Sequence, residues 1–138
     1  MRKVVVDASA IVALYLPEGD SDAVEEALRG ADSVAALDLA FYEAADALWK
    51  RVGRGDMEPG RAEAVLGEIL ESPRSVEVRA YGEVAHEAFR KAVDRGVTVY
   101  DAAYAALAEA LGGVLITLDG ELAERFPGLA SRPRVSPS

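Results

Sequence analysis

Three aspartates stand where an α/β chain would place chemistry. Asp7 closes the β-branched run Lys3–Val6, and Asp119 follows the apolar run Val114–Leu118. Asp101 sits at the opening of the helical stretch just before that second run. Acids just past the carboxyl ends of buried strands share one sheet edge in such folds. The chain has no cysteine and a single histidine, His86. Disulfides, zinc sites of the usual Cys/His kind and paired-histidine relays are thereby excluded. A metal held by this chain must take mostly oxygen ligands, which favours Mg²⁺ or Mn²⁺.

Each acid also has a purely local use. Asp7 and Asp119 suit the N-caps of the helices that follow them. Asp101 lies three residues after Thr98, a capping-box spacing. These roles account for each residue singly, but not for three acids on one edge. Asp101 also falls near the helix side carrying Tyr104, Leu107, Ala108 and Leu111. A carboxylate beside a packing stripe is costly unless it is paired or holds a cation. Elsewhere the ordinary readings lead. His86 fits the surface of an amphipathic helix, and Phe41 and Trp49 fit a core or an interface. Lys50, Arg51 and Arg54 suit the negative end of a helix; a phosphate contact is their alternative.

The elements that must position the acids alternate along the chain. Strands are expected at Lys3–Val6, Ser33–Leu37, Ser75–Val78 and Val114–Leu118, with an edge strand at Arg134–Ser136 before a loose tail. Helices are expected over Ala8–Leu16, Ser21–Leu28, Leu39–Val52, Pro59–Leu70, Gly82–Arg95 and Glu121–Phe126, and from Asp101 to the Gly112-Gly113 pair. In the third expected helix, Leu39–Val52, the residues Phe41, Ala45, Leu48 and Val52 form the expected buried stripe. Glu43 falls opposite that stripe, beside Asp46 and Lys50, as a solvated residue would. The alternation indicates an α/β fold on a mainly parallel sheet, with residues 1–138 as one domain. No apolar stretch approaches the roughly 18 residues of a membrane span. Asp7 interrupts the first apolar run too early for a signal peptide, so a cytoplasmic protein is expected. The net charge of −9 opposes broad nonspecific binding to nucleic acid. A cluster of metal-binding acids adds to that charge without excluding an enzyme that acts on nucleic acid.

Three segments, VVVDASAIVAL, FYEAADAL and VYDAAYAALAEALGGVLITLD, resemble in order and spacing the PIN-domain ribonucleases. The nearest subgroup is the VapC-type toxins of toxin–antitoxin pairs. The resemblance spans nearly the whole chain and implies a three-layer α/β/α sandwich. It implies a four-acid site of Asp7, Glu43, Asp101 and Asp119, with Ser9 and Thr117 in support. It further implies a Mg²⁺- or Mn²⁺-dependent endoribonuclease that forms a homodimer and is held by a cognate antitoxin protein. Phe41, Trp49 and Tyr104 are the candidates for the dimer contact. Many relatives carry Asn three residues after the helix acid; here that residue is Asp46. The competing expectation is a PIN-like binding or regulatory domain that has lost cleavage. An acid-pocket phosphotransfer domain fits poorly, because no lysine follows Lys91.

Overall fold

The computed structural model describes residues 1–16, 19–71 and 76–133. Its strands are β1 (Lys3–Val6), β2 (Ser33–Leu37), β3 (Val76–Arg79), β4 (Val114–Ile116) and β5 (Ala130–Ser131). They form one sheet in the order β3-β2-β1-β4-β5, and every described pairing is parallel. Val4, Val5 and Val6 of the central strand are fully buried, as continuous β-branched runs require when helices cover both faces.

The helices are α1 (Ala8–Tyr15), α2 (Ser21–Leu28), α3 (Asp38–Gly53), α4 (Pro59–Glu71), α5 (Ala85–Arg95), α6 (Val99–Leu111) and α7 (Gly120–Arg125). The chain runs outward from β1 through β2 to β3, then returns to place β4 on the other side of β1. Right-handed crossovers put the helices of the outward run on one face and those of the return on the other, giving three layers. The switch point of the topology lies between β1 and β4, where α/β sheets open a crevice beyond the strand ends. Helix α6 is buried at every residue from Ala102 to Ala108. Its alanines let it lie close to β1 and β4 while α5 covers its outer side.

The Gly112-Gly113 pair has two separate jobs. Gly112 caps α6 in the left-handed region, at φ 66°. A Cβ on Gly113 would stand 2.6 Å from the Lys3 carbonyl oxygen, so β4 can begin against β1 only without a side chain there.

Several expected boundaries move. The sheet is wholly parallel among the described residues, and β4 ends at Ile116, two residues early. The helix expected from Gly82 is a 3₁₀ turn at Tyr81–Glu83 followed by α5. Strand β5 was not expected; the expected strand at Arg134–Ser136 lies outside the described residues, as does Ser75. The buried face of α3 is Ala40, Ala44 and Leu48 rather than the Phe41/Ala45/Val52 side. Small alanines permit close helix packing, so Phe41 and Val52 sit at the flank, partly buried. Tyr104 is 2% exposed and thus unavailable to a dimer contact, whereas Trp49 is 68% exposed. No helix among the described residues is long and apolar enough to cross a membrane.

Candidate active site

Asp7 follows the last residue of β1 and caps α1. Its Oδ1 accepts from the Ala10 backbone N–H at 3.0 Å and from Ser9 Oγ at 2.6 Å. Its Oδ2 accepts from the hydroxyl of Thr117, just beyond the end of β4. The cap reading and the site reading therefore describe one side chain. Asp7 is only 5% exposed, and burial pushes its carboxyl above the ordinary value. The bonds from Ser9, Thr117 and Ala10 pull it down, while the charge of Asp119 adds to the rise.

Ser9 and Thr117 also tie the two strand ends together. Ser9 Oγ accepts from the Leu118 N–H at 2.9 Å, and Thr117 Oγ1 accepts from the Asp119 N–H at 3.0 Å. Asp119 caps α7, with Oδ1 accepting from the N–H groups of Glu121 at 3.0 Å and Leu122 at 3.2 Å. Both strand-end acids are thus aimed by backbone N–H groups of the helix that follows.

Asp101 occupies the third position of α6, where its N–H donates to the Thr98 hydroxyl at 3.1 Å. Its own carboxylate has no hydrogen-bond donor among the described residues. Burial raises its proton affinity first, then the charges of Asp119, Asp7 and Glu121; Arg125 opposes them. Glu43 is half-buried beside the Ala40/Ala44 face, not on the solvated side that the expected stripe implied. Its Oε1 accepts from the Tyr104 hydroxyl. Burial raises Glu43, the phenol bond lowers it, and the charges of Asp7, Asp101 and Asp46 raise it again.

Asp7 and Asp101 lie within electrostatic reach of each other and of both Glu43 and Asp119. No lysine or arginine among the described residues forms an ion pair with any of them; the described pairs lie elsewhere, including Lys50–Asp46 and Arg51–Asp56. A set of one buried carboxylate (Asp7), two half-buried ones (Glu43 and Asp101) and one exposed one (Asp119), without a paired cation among the described residues and made only of oxygen donors, fits a hard divalent ion. The fit is not a finished cage. Among the described residues no three His, Cys, Asp or Glu side chains are gathered closely enough to hold an ion as they stand. A groove of about 300 Å³ adjoins the acids, lined by Ser9, Val12, Ala13, Leu16, Leu118 and Arg51, among others.

Two neighbours were not singled out as site residues from the sequence. Tyr104 was read as packing or dimer contact, although it lies one helical turn from Asp101. Arg125 carries no motif, and only the fold brings its charge to Asp101.

The PIN domain family matches this chain over residues 4–126. Ribonuclease VapC3 of Pyrobaculum aerophilum is 50% identical over 129 residues, covering 94% of this chain and 98% of the relative. Exonuclease VapC9 of the same organism is 37% identical over 123 residues, covering 89% of this chain and 85% of that one. The crystal structure of PAE2754, also from Pyrobaculum aerophilum, is similar with a TM-score of 0.68 at 36% identity, over 94% of this chain and 83% of that chain. With its sheet order, its strand-end acids and a relative identical at half of the aligned positions, this chain belongs to the PIN-domain family and to the VapC group within it.

Proposed function

We propose that this protein is a Mg²⁺- or Mn²⁺-dependent endoribonuclease, the toxin of a toxin–antitoxin pair. The observation that carries the reading is the set of four acids at the β1/β4 switch point, mutually repelling and without a paired cation among the described residues. Asp7, Asp101 and Asp119 would be the main ligands of the ion, and Glu43 would help hold a second ion or orient the water. Bound there, Mg²⁺ or Mn²⁺ supplies positive charge to phosphate oxygens and acidifies a water molecule.

The side chains supply the rest. Ser9 and Thr117 hold Asp7 so that its remaining lone pairs face one way. Asp101, with no donor of its own among the described residues, can turn both oxygens to a ligand. Glu43 keeps Oε2 free of a described donor while Oε1 is held. That oxygen would help hold a second ion or orient the attacking water; as the water oxygen bonds to phosphorus it would give up a proton to solvent, and the leaving nucleotide oxygen, its bond to phosphorus broken, would take one up. The single histidine, His86, lies on the exposed side of α5, so a histidine pair acting through the 2′-hydroxyl has no residues here. The groove beside Ser9 and Leu118 gives the flanking nucleotides an apolar floor.

The kinship with VapC proteins supports a cognate antitoxin as partner and a homodimer, with Trp49 the exposed aromatic candidate for a contact. One sheet joins strands from Lys3 to Ser131, which supports residues 1–138 as a single domain. We place the protein in the cytoplasm, where RNA and an antitoxin would meet it.

A second reading has its own observation. Asp7 and Asp119 are both satisfied as helix caps, and the acids are not gathered into a cage. A PIN-like binding domain without cleavage would look the same. Purified protein incubated with end-labelled and circular single-stranded RNAs, with Mn²⁺, with Mg²⁺ and with chelator, separates the readings. Metal-dependent cutting of a circle establishes internal cleavage. Cutting from ends alone corrects the reading to an exonuclease, and no cutting on a broad panel favours the binding domain.

A further inference from the structure

We propose that Tyr104 is the positioning residue for Glu43: its buried hydroxyl holds one carboxylate oxygen and leaves the other to the metal site. This inference rests on the reading of the four acids as that site.

Tyr104 belongs to α6, three residues after Asp101, and Glu43 belongs to α3, on the other side of the crevice. The two are 61 residues apart in sequence. The Tyr104 ring is buried in the core, and a buried phenol requires a partner. The described partner is Oε1 of Glu43. The phenol donates, since an ionised carboxylate can only accept.

Glu43 lacks the cap bonds that aim the two strand-end acids. Asp7 is fixed by Ser9, Thr117 and the Ala10 N–H, and Asp119 by two backbone N–H groups. Glutamate has one more rotatable bond than aspartate, and Glu43 lies in mid-helix, where no backbone donor is free to aim it. It is also repelled by Asp7, Asp101 and Asp46, so without an anchor it would swing toward solvent. The phenol therefore does for Glu43 what caps do for the strand-end acids. It couples Glu43 to the same helix that carries Asp101, so the two acids keep one spacing.

The test is Mn²⁺ binding followed by the electron paramagnetic resonance signal of the free ion, on wild type, Tyr104→Phe, Glu43→Ala and the double variant. Thermal melting of each confirms the fold. We expect Tyr104→Phe to weaken Mn²⁺ binding by about 10- to 100-fold, as loss of an outer partner of a ligand does. We expect the same substitution to cost nothing further once Glu43 is Ala. Unchanged binding by Tyr104→Phe overturns the proposal. So does a loss that persists in full on the Glu43→Ala background, since that is a packing effect. Should Tyr104→Phe fail to fold, Glu43→Asp takes its place: it keeps the charge but withdraws it from the phenol. Its binding should fall as far, and wild-type affinity in that variant overturns the proposal. Absence of Mn²⁺ binding by wild type overturns the metal site and this inference together, which distinguishes it from failure of the inference alone.

Discussion

The hydroxyl of Thr117 donates to the carboxylate of Asp7, across 110 residues of sequence and between the ends of adjacent parallel strands. The same Thr117 oxygen accepts from the Asp119 N–H at 3.0 Å, so one buried side chain aligns two acids. Thr117→Val keeps the shape and removes both bonds. It should lower Mn²⁺ affinity by about 10- to 100-fold and fold stability by about 1–3 kcal/mol, since it leaves buried groups unpaired. Titration calorimetry and denaturant melts check the two effects. Thr117→Ser should restore most of both.

Asp7→Asn and Asp101→Asn should each reduce RNA cleavage by at least about a hundredfold, because each removes charge from the place where the proposed ion would be held. Single-turnover assays at saturating RNA measure this. Full activity in either variant contradicts its assignment as a ligand.

The same Asp101→Asn change should make the metal-free protein melt at a higher temperature near neutral pH. Burial and the charges of Asp119, Asp7 and Glu121 all disfavour the ionised carboxylate. Loss of function and gain of stability in one variant separate a site acid from a structural one.

Acid pH should narrow that advantage. The folded-state values of Asp7, Glu43 and Asp101 are all raised. Their protonation therefore favours the fold below the ordinary carboxylate value, about 4, and that favour is lost as pH rises through the raised values. The melting difference between Asp101→Asn and wild type should shrink as pH falls from 8 toward 4.5. Metal should bind more weakly over the same interval, since protons compete for its ligands.

Saturating Mn²⁺ should stabilise the fold by about 2.7 kcal/mol at a hundredfold excess over its dissociation constant. For a domain of this size that is on the order of 10 °C in melting temperature. No shift at millimolar Mn²⁺ counts against the site.

Gly113→Ala should cost about 1–3 kcal/mol by overpacking, because its Cβ would meet the Lys3 backbone at 2.6 Å. Gly53→Ala, with open space around it, should be nearly neutral. Paired denaturant melts test the contrast.

Much of this arrangement was legible in the sequence, and the reasons are local. Continuous β-branched runs at Val4–Val6 could only be buried parallel strands, and acids immediately after strands mark a sheet edge. Thr98, Gly96 and Gly112 punctuate α5 and α6 through cap chemistry that needs no tertiary context. Glu43 shows where periodicity fails. Its helix buries alanines, and a stripe of Ala40 and Ala44 is fainter in hydropathy than Phe41 and Val52, so the expected face was rotated. Family resemblance placed Glu43 among the site candidates, and the helical pattern did not.

By itself the sequence determined that any metal held here would take mostly oxygen ligands, that the fold is α/β, and that Asp7 and Asp119 lie past strand ends. Composition and hydrogen-bonding near each residue suffice for that. Only the tertiary structure decided which acids come within electrostatic reach, because the strand order β3-β2-β1-β4-β5 arises from packing between distant segments. It alone set Tyr104 against Glu43, Thr117 against Asp7 and Arg125 within reach of Asp101. Those relations depend on how α3, α6 and α7 cover the sheet, and no local propensity encodes the distance between them.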